Sequence, residues 1–217
     1  MTSSVAVACI LGSYLLGSVS FALLFVRMIK GVDLRTVGSG NLGATNAGRT
    51  LGRTWGFAIY LLDFLKGGAP TWIGFWLEDA HPWDTGLAAF LPLPMLMGAA
   101  AFLGHCYPFY LRFRGGKGVA TASGVILAVS PGAFLASMVA FVVLVALFRM
   151  ISLGSIGAAI VLPVAFLATE RRDALELPNL AWLTFFLLVT VFVIVRHRTN
   201  IQRIVEGTES KIGRKSA

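Results

Sequence analysis

Residues 112–149 read RFRGGKGVATASGVILAVSPGAFLASMVAFVVLVALFR, and the number of times this stretch crosses an apolar layer decides the topology of the chain. It holds two apolar runs, 119–130 and 131–148, separated only by the turn-forming Ser130-Pro131-Gly132. The second run approaches the length of a full membrane span, which takes about 20 helical residues at about 1.5 Å each. The first is short. It either crosses as a short span that begins back in the 115–118 loop, or it turns back as a re-entrant half-helix.

Charge decides between these. Further apolar runs occupy about 4–26, 57–77, 86–110, 153–169 and 178–195. With seven spans and the N-terminus outside, fifteen of the eighteen basic residues lie on the cytoplasmic side, Arg171 and Arg172 lie outside, and Lys66 falls within a span. If 119–130 turned back, Arg149 and the basic tail would move outside and the split would become ten against seven. The positive-inside rule selects the seven-span arrangement. Glu78, Asp79, Asp84, Glu170, Asp173 and Glu176 then sit in outside loops. The expected fold is an all-α integral membrane protein of seven transmembrane helices, with the C-terminus cytoplasmic and one short helix at about 116–130.

Composition agrees. Hydrophobic residues make up 57% of the 217 and charged residues only 13%, against about 25% in soluble chains, so lipid must be the solvent for much of the molecule. The whole of 1–217 reads as a single transmembrane domain, with no room for a separate soluble catalytic domain. The net charge of +8 lies in short loops between apolar runs, which fits lipid headgroups and anionic ligands and argues against nucleic acid. Cys9 and Cys106 lie in different segments and offer neither a disulfide framework nor metal-ligand spacing. The first 26 residues lack Lys and Arg, so they read as an uncleaved first span rather than a signal peptide.

Three polar segments share the cytoplasmic side in this topology. The first, 38–49, contains Gly38, Ser39, Gly40, Asn41, Thr45, Asn46 and Arg49; glycines allow backbone N–H groups to converge on an anion, and the arginine fork suits phosphate. The second runs from Gly104-His105 to Thr121 and includes Gly115-Gly116-Lys117-Gly118, which places N–H groups and a lysine at the positive end of a helix. It is not a Walker A loop, because Gly118 follows the lysine. The third is 196–211, where His197 and Asn200, and Asn200 and Arg203, share helix faces. Ser152 lies near them in a short inside turn after Arg149. Asp63 and Lys66, three residues apart within a span, read as a neutralised structural ion pair.

No G-x-S-x-G element occurs. No His-x-x-x-x-Asp pair occurs either: the residues five beyond His81, His105 and His197 are Gly86, Tyr110 and Gln202. That pair marks a large group of glycerolipid acyltransferases, so their thioester chemistry is not expected. No clustered metal ligands stand out, and neither metal nor cofactor is expected.

The strings GSGNLGATNAGR, GHCYPFYLRFRGGKGVAT and HRTNIQRIVEGTESK, in this order and between these spans, resemble the bacterial acyl-phosphate:glycerol-3-phosphate acyltransferase family of PlsY type. The resemblance covers about residues 10–211. It implies a single transmembrane acyltransferase domain in the bacterial cytoplasmic (inner) membrane, with its active site facing the cytoplasm. Its substrates would be acyl phosphate and glycerol 3-phosphate, its products 1-acylglycerol 3-phosphate and phosphate, and its surroundings membrane lipids. No nucleic acid partner is expected, and the sequence does not fix the oligomeric state, a monomer being compatible with it. Ser39, Arg49, Lys117, His197 and Asn200 are the implied catalytic centre. Gly38, Gly40, Asn41, Thr45, Asn46, His105, Gly115, Gly116, Gly118, Thr121, Ser152 and Arg203 are the implied substrate-binding residues, while Glu209 is implied to be structural. The competing reading is a small carrier of an anionic substrate. It is disfavoured because a carrier needs access to both faces and the anion donors gather on one.

Overall fold

The computed structural model describes residues 1–82, 91–170, 175–176 and 179–213. Asp84, Arg171, Arg172, Asp173, Arg214 and Lys215, which enter the charge argument, lie outside the described residues. The described residues form helices and connecting turns without a strand. Two compact units divide the chain, Met1–Val129 and Ser130–Ala217.

In the first unit the helices are α1 (Ser3–Ser18), α2 (Phe21–Lys30), α3 (Ala44–Leu51), α4 (Arg53–Ala80), α5 (Leu93–Cys106) and α6 (Val119–Val129). Ser3–Lys30 together is long and apolar enough to cross a membrane. The predicted run at 4–26 is nevertheless not one continuous helix, since it breaks at Val19 and Ser20. A break in apolar surroundings leaves backbone groups that must be satisfied from elsewhere. Here the Tyr110 hydroxyl donates to the Ser18 carbonyl, and its oxygen accepts the Ser20 N–H at 3.1 Å. The Val19 carbonyl accepts from Lys66 Nζ at 2.7 Å. Ser20 then caps α2 by accepting the Leu23 N–H.

Glycine sets the approach of the helices in this unit. A Cβ on Gly17 would lie 2.1 Å from the Ala101 carbonyl oxygen, and one on Gly104 would lie 2.2 Å from that of Tyr14, so α1 and α5 meet backbone to backbone. The same holds for α4 and α6, where a Cβ on Gly67 would fall 2.2 Å from the Thr121 oxygen and one on Gly124 would fall 2.0 Å from the Phe64 oxygen. Close helix contacts through small residues are the usual way to gain packing energy where lipid removes the hydrophobic driving force between helices. A separate apolar cluster of Ala22, Val26, Leu34, Leu42, Ala47 and Ile59 underlies the 31–43 connection. Of the predicted run 86–110, residues 86–90 lie outside the described residues; in the rest the α-helix covers Leu93–Cys106 and ends where Tyr107 leaves helical geometry and Pro108 follows. The short helix expected at about 116–130 is α6, with 11 residues.

The second unit holds α7 (Pro131–Phe148), α8 (Ile151–Glu170), α9 (Asn179–Arg196) and α10 (Arg198–Val205). The first three are each long and apolar enough to span. Ser130 caps α7 by accepting the Ala133 N–H, so the turn triplet read from sequence is also the helix start. Gly154 and Gly157 let α8 approach Phe141, Leu144 and Val145 of α7. Between α8 and α9, the Phe166 and Phe186 rings meet edge to face at 5.1 Å, and the Thr190 hydroxyl donates to the Ala159 carbonyl at 2.7 Å.

These contacts predict a contrast between two glycines. Gly124→Ala places a methyl against backbone that cannot move aside and should cost about 1–3 kcal/mol. Gly12, whose Cβ would meet nothing within 4 Å, should accept Ala without loss. Thermal unfolding of the two variants in the same detergent checks this, and equal melting temperatures would refute backbone contact as the limit.

Candidate active site

The first polar segment is organised around Asn46, which is only 1% exposed. Its Nδ2 donates to the carbonyls of Leu34, Val37 and Asn41 at 3.3, 3.1 and 3.1 Å, and its Oδ1 accepts the Ser39 N–H at 2.9 Å. Gly38 must be glycine, for two reasons. Its φ is +59°, and a Cβ there would lie 2.2 Å from Asn46 Oδ1. Asn46, expected to bind substrate, therefore spends its amide on holding the loop. The Gly40 N–H is likewise occupied, donating to the Val37 carbonyl at 3.1 Å. What this segment presents outward is the exposed Ser39 side chain and the exposed Arg49 guanidinium in the last turn of α3. Gly38, Gly40, Asn41 and Thr45 line the same short segment.

The second segment leaves α5 and returns on itself. Gly115 N–H donates to the Cys106 carbonyl at 3.0 Å and Gly116 N–H to the His105 carbonyl at 3.1 Å. These two amides cap the end of α5, which corrects the expectation that they point at an anion. The donors that α6 offers at its start are the N–H groups of Val119, Ala120 and Thr121, which precede the first bond of the helix, from Ala122 N–H to the Gly118 carbonyl. Lys117, half-buried, sits just before them. Gly118 has φ +82° and abuts Phe102 and Cys106, so no side chain fits there. Thr121 is fully buried, and its hydroxyl makes no hydrogen bond among the described residues. The connecting turn carries two consecutive non-glycine residues in the left-handed region, Arg112 at φ 54° and Phe113 at φ 59°.

In the second unit the organiser is Glu209, 6% exposed. Its Oε1 accepts from the Ser152 hydroxyl at 2.6 Å and from Asn200 Nδ2 at 2.7 Å, while its Oε2 accepts from Arg203 Nε at 2.8 Å. Ser152, Asn200 and Arg203, three residues predicted for the site, thus converge on one carboxylate. The sequence resemblance implies a structural role for Glu209, and these donors around one carboxylate are what that role consists of. The segment carrying it is tied down twice more, by Ile212 N–H to the Arg149 carbonyl at 2.8 Å and by Arg149 Nη2 to the Ile212 carbonyl at 2.6 Å.

His197 lies at the break between α9 and α10 and is 4% exposed. Its Nδ1 is 2.8 Å from the Val193 carbonyl, which can only accept, so Nδ1 carries a proton and any proton exchange by the ring takes place at Nε2. Among the described residues no group of three or more His, Cys, Asp or Glu is placed to hold a metal ion.

Burial by itself would raise the Glu209 carboxyl, but the hydrogen bonds from Ser152, Arg203 and Asn200 outweigh it and hold the group below its ordinary value of 4.5. A depressed carboxyl contributes stability that is complete above the unfolded value and is lost as pH falls through the folded one. Glu209→Gln should therefore cost about 1.5–3 kcal/mol near neutrality, the range for a hydrogen bond to a charged group, and the difference from the parent should shrink below pH 4.5. Melting curves from pH 8 down to about pH 2 check this. A gap that stays constant with pH would show that the charge is not the source.

Comparison with known proteins identifies the family. The family pattern for glycerol-3-phosphate acyltransferase matches residues 7–207. A curated glycerol-3-phosphate acyltransferase of Geobacter sulfurreducens is 49% identical over 92% of this chain and 93% of its own. One from Geotalea daltonii is 42% identical over 97% of this chain and 98% of its own. The solved structure of PlsY, an integral membrane glycerol 3-phosphate acyltransferase, in its glycerol 3-phosphate form superimposes with a TM-score of 0.80 at 38% identity, covering 96% of both chains. Its lysophosphatidic acid form gives 0.78 at 36% identity, over 96% of this chain and 95% of that one. An all-helical membrane architecture and near full-length similarity converge on one assignment: the chain belongs to the glycerol-3-phosphate acyltransferase family, as an integral membrane acyltransferase of the PlsY type.

Proposed function

We propose that this acyltransferase takes its acyl group from acyl phosphate and delivers it to the sn-1 hydroxyl of glycerol 3-phosphate, giving 1-acylglycerol 3-phosphate and phosphate. The observation that carries the reading is the match to PlsY solved with glycerol 3-phosphate, in a chain that lacks the His-x-x-x-x-Asp pair of thioester-using enzymes. An acyl phosphate is a mixed anhydride whose leaving group is already a stable anion. The substrate hydroxyl attacks the carbonyl carbon, the bond from that carbon to the phosphate oxygen breaks, and phosphate departs with the electron pair. Neither a covalent enzyme intermediate nor protonation of a poor leaving group is needed. The protein has to position two anions and offset the charge that develops between them.

The proposed working groups are Ser39, Arg49 and Lys117 in the first unit and His197 and Asn200 in the second. Arg49 is exposed and offers a planar fork for two phosphate oxygens; Lys117 adds a point charge at the start of α6. The hydroxyl proton passes to a phosphate oxygen of the substrate. The rival acceptor is His197, which would take the proton at Nε2, because Nδ1 is bound to the Val193 carbonyl. A phosphate-release assay of the purified protein without metal or coenzyme A should show turnover with acyl phosphate and none with acyl-CoA. Lys117→Arg and Arg49→Lys, which keep the charge and change its shape, should each lose at least tenfold, about 1.4 kcal/mol in the barrier. Comparable turnover with acyl-CoA would refute the donor. Near-normal rates in both variants would make these residues headgroup anchors.

Seven spans, with the N-terminus outside and 38–49, 112–118 and 196–211 facing the cytoplasm of a bacterial inner membrane, complete the proposal. The skew of basic residues supports it. Single cysteines placed in these segments, on a chain lacking Cys9 and Cys106, should resist an impermeant thiol reagent in intact cells. Labelling of 112–118 from outside would sink the topology.

A further inference from the structure

One charged cluster in the first unit is left unused by this chemistry. Asp63, Lys66 and His105 are 1%, 3% and 7% exposed. Lys66 Nζ is 2.7 Å from Asp63 Oδ1, and its second bond, to the Val19 carbonyl, accounts for its place at the α1–α2 break. Asp63 has a further neighbour that this does not explain. His105 Nδ1 lies 3.6 Å from the same Oδ1, within ion-pair reach.

The opposite edge of that imidazole touches the glycine loop. A Cβ built on Gly116 would fall 2.1 Å from His105 Nε2 and 2.8 Å from Cε1. The His105 carbonyl accepts the Gly116 N–H, and a Cβ on Gly115 would lie 2.1 Å from that carbonyl oxygen. Ring and carbonyl of one residue therefore brace two successive glycines, and Lys117 is the next residue. A ring can brace a backbone only if its own orientation is fixed, and Asp63 is the charged group facing its other edge.

We propose that Asp63 and His105 are positioning residues for the glycine–lysine loop: the carboxylate orients the imidazole, the imidazole sets the backbone at Gly116, and Lys117 is aimed as a result. This rests on Lys117 serving a substrate phosphate. It gives Asp63 a second task besides neutralising Lys66, and replaces the expected substrate contact of His105 by a supporting one. The simpler account is that Asp63 is only the counter-ion of Lys66.

The full chain in lipid nanodiscs separates the two accounts. Three quantities are measured: kcat and KM for each substrate by phosphate release, thermal unfolding, and hydrogen exchange of the Gly115 and Gly116 amides. Asp63→Asn should lower kcat/KM at least tenfold, and combining it with His105→Gln should be no worse than His105→Gln alone. Adding Lys66→Met to Asp63→Asn removes the unpaired charge but also the donor to the Val19 carbonyl, so melting temperature should recover in part while turnover does not recover. Both Asp63→Asn and His105→Gln should speed exchange at Gly115 and Gly116 and leave amides of α9 unchanged. Recovery of turnover with Lys66→Met, multiplying losses in the Asp63–His105 pair, or unchanged exchange at the two glycines would each overturn the proposal. Lys117→Ala is the separate control. Full activity there would remove the phosphate role of Lys117, while the exchange data would still decide whether Asp63 and His105 hold the loop.

Discussion

Backbone amides and carbonyls that leave a helix in apolar surroundings need a partner from the protein itself, and much of the first unit is arranged around that need. The α1–α2 break is the plainest case. Lys66 reaches the Val19 carbonyl, and the Tyr110 hydroxyl serves Ser18 and Ser20 together. A buried ammonium is costly unless paired, so Asp63 follows from Lys66, and the ion pair follows from the break. Changing the direction of one helix thus draws in side chains from α4 and from the turn after α5.

The polar segments obey the same rule on a smaller scale. In the first and third, one buried side chain gathers the segment and holds its neighbours in place. Asn46 collects three carbonyls and one N–H, which lets Ser39 and Arg49 stand exposed. Glu209 collects Ser152, Asn200 and Arg203, and fixes two helices and a tail segment with one carboxylate. Holding side chains by bonds among themselves is what preorganisation requires, because the groups need not be ordered again with each turnover.

Sequence reading located the apolar runs, the Ser130 turn, the three polar segments and the Asp63–Lys66 pair, because each leaves a local mark: a run of hydrophobicity, a turn triplet, or charges at helical spacing. It did not separate residues that face a ligand from residues that hold the loop. Asn46 and Ser39 are both small, polar and close together in the chain, and only the three carbonyls around the Asn46 amide distinguish them. Gly115 and Gly116 look like anion donors until their N–H groups are followed to Cys106 and His105. The α1–α2 break was hidden because Val19 and Ser20 are unremarkable in an apolar run, and what stabilises the break comes from residues far along the chain. Glu209 is expected to be structural, but which side chains it holds was hidden in the same way, since its partner Ser152 lies 57 positions away.

The glycine contacts of the first unit bear on how the enzyme meets bilayers of different thickness. Where α1 meets α5 and α4 meets α6, main chain rests on main chain at Gly17, Gly104, Gly67 and Gly124, with no long side chain between to act as a bearing. Helices locked in this way cannot slide along one another to shorten or lengthen their combined apolar girth. A thinner or thicker membrane must then be met by tilting these helices as one block or by deforming the lipid around them. The burden of adapting to membrane composition, which this family of enzymes helps to set, falls on the lipid more than on the protein.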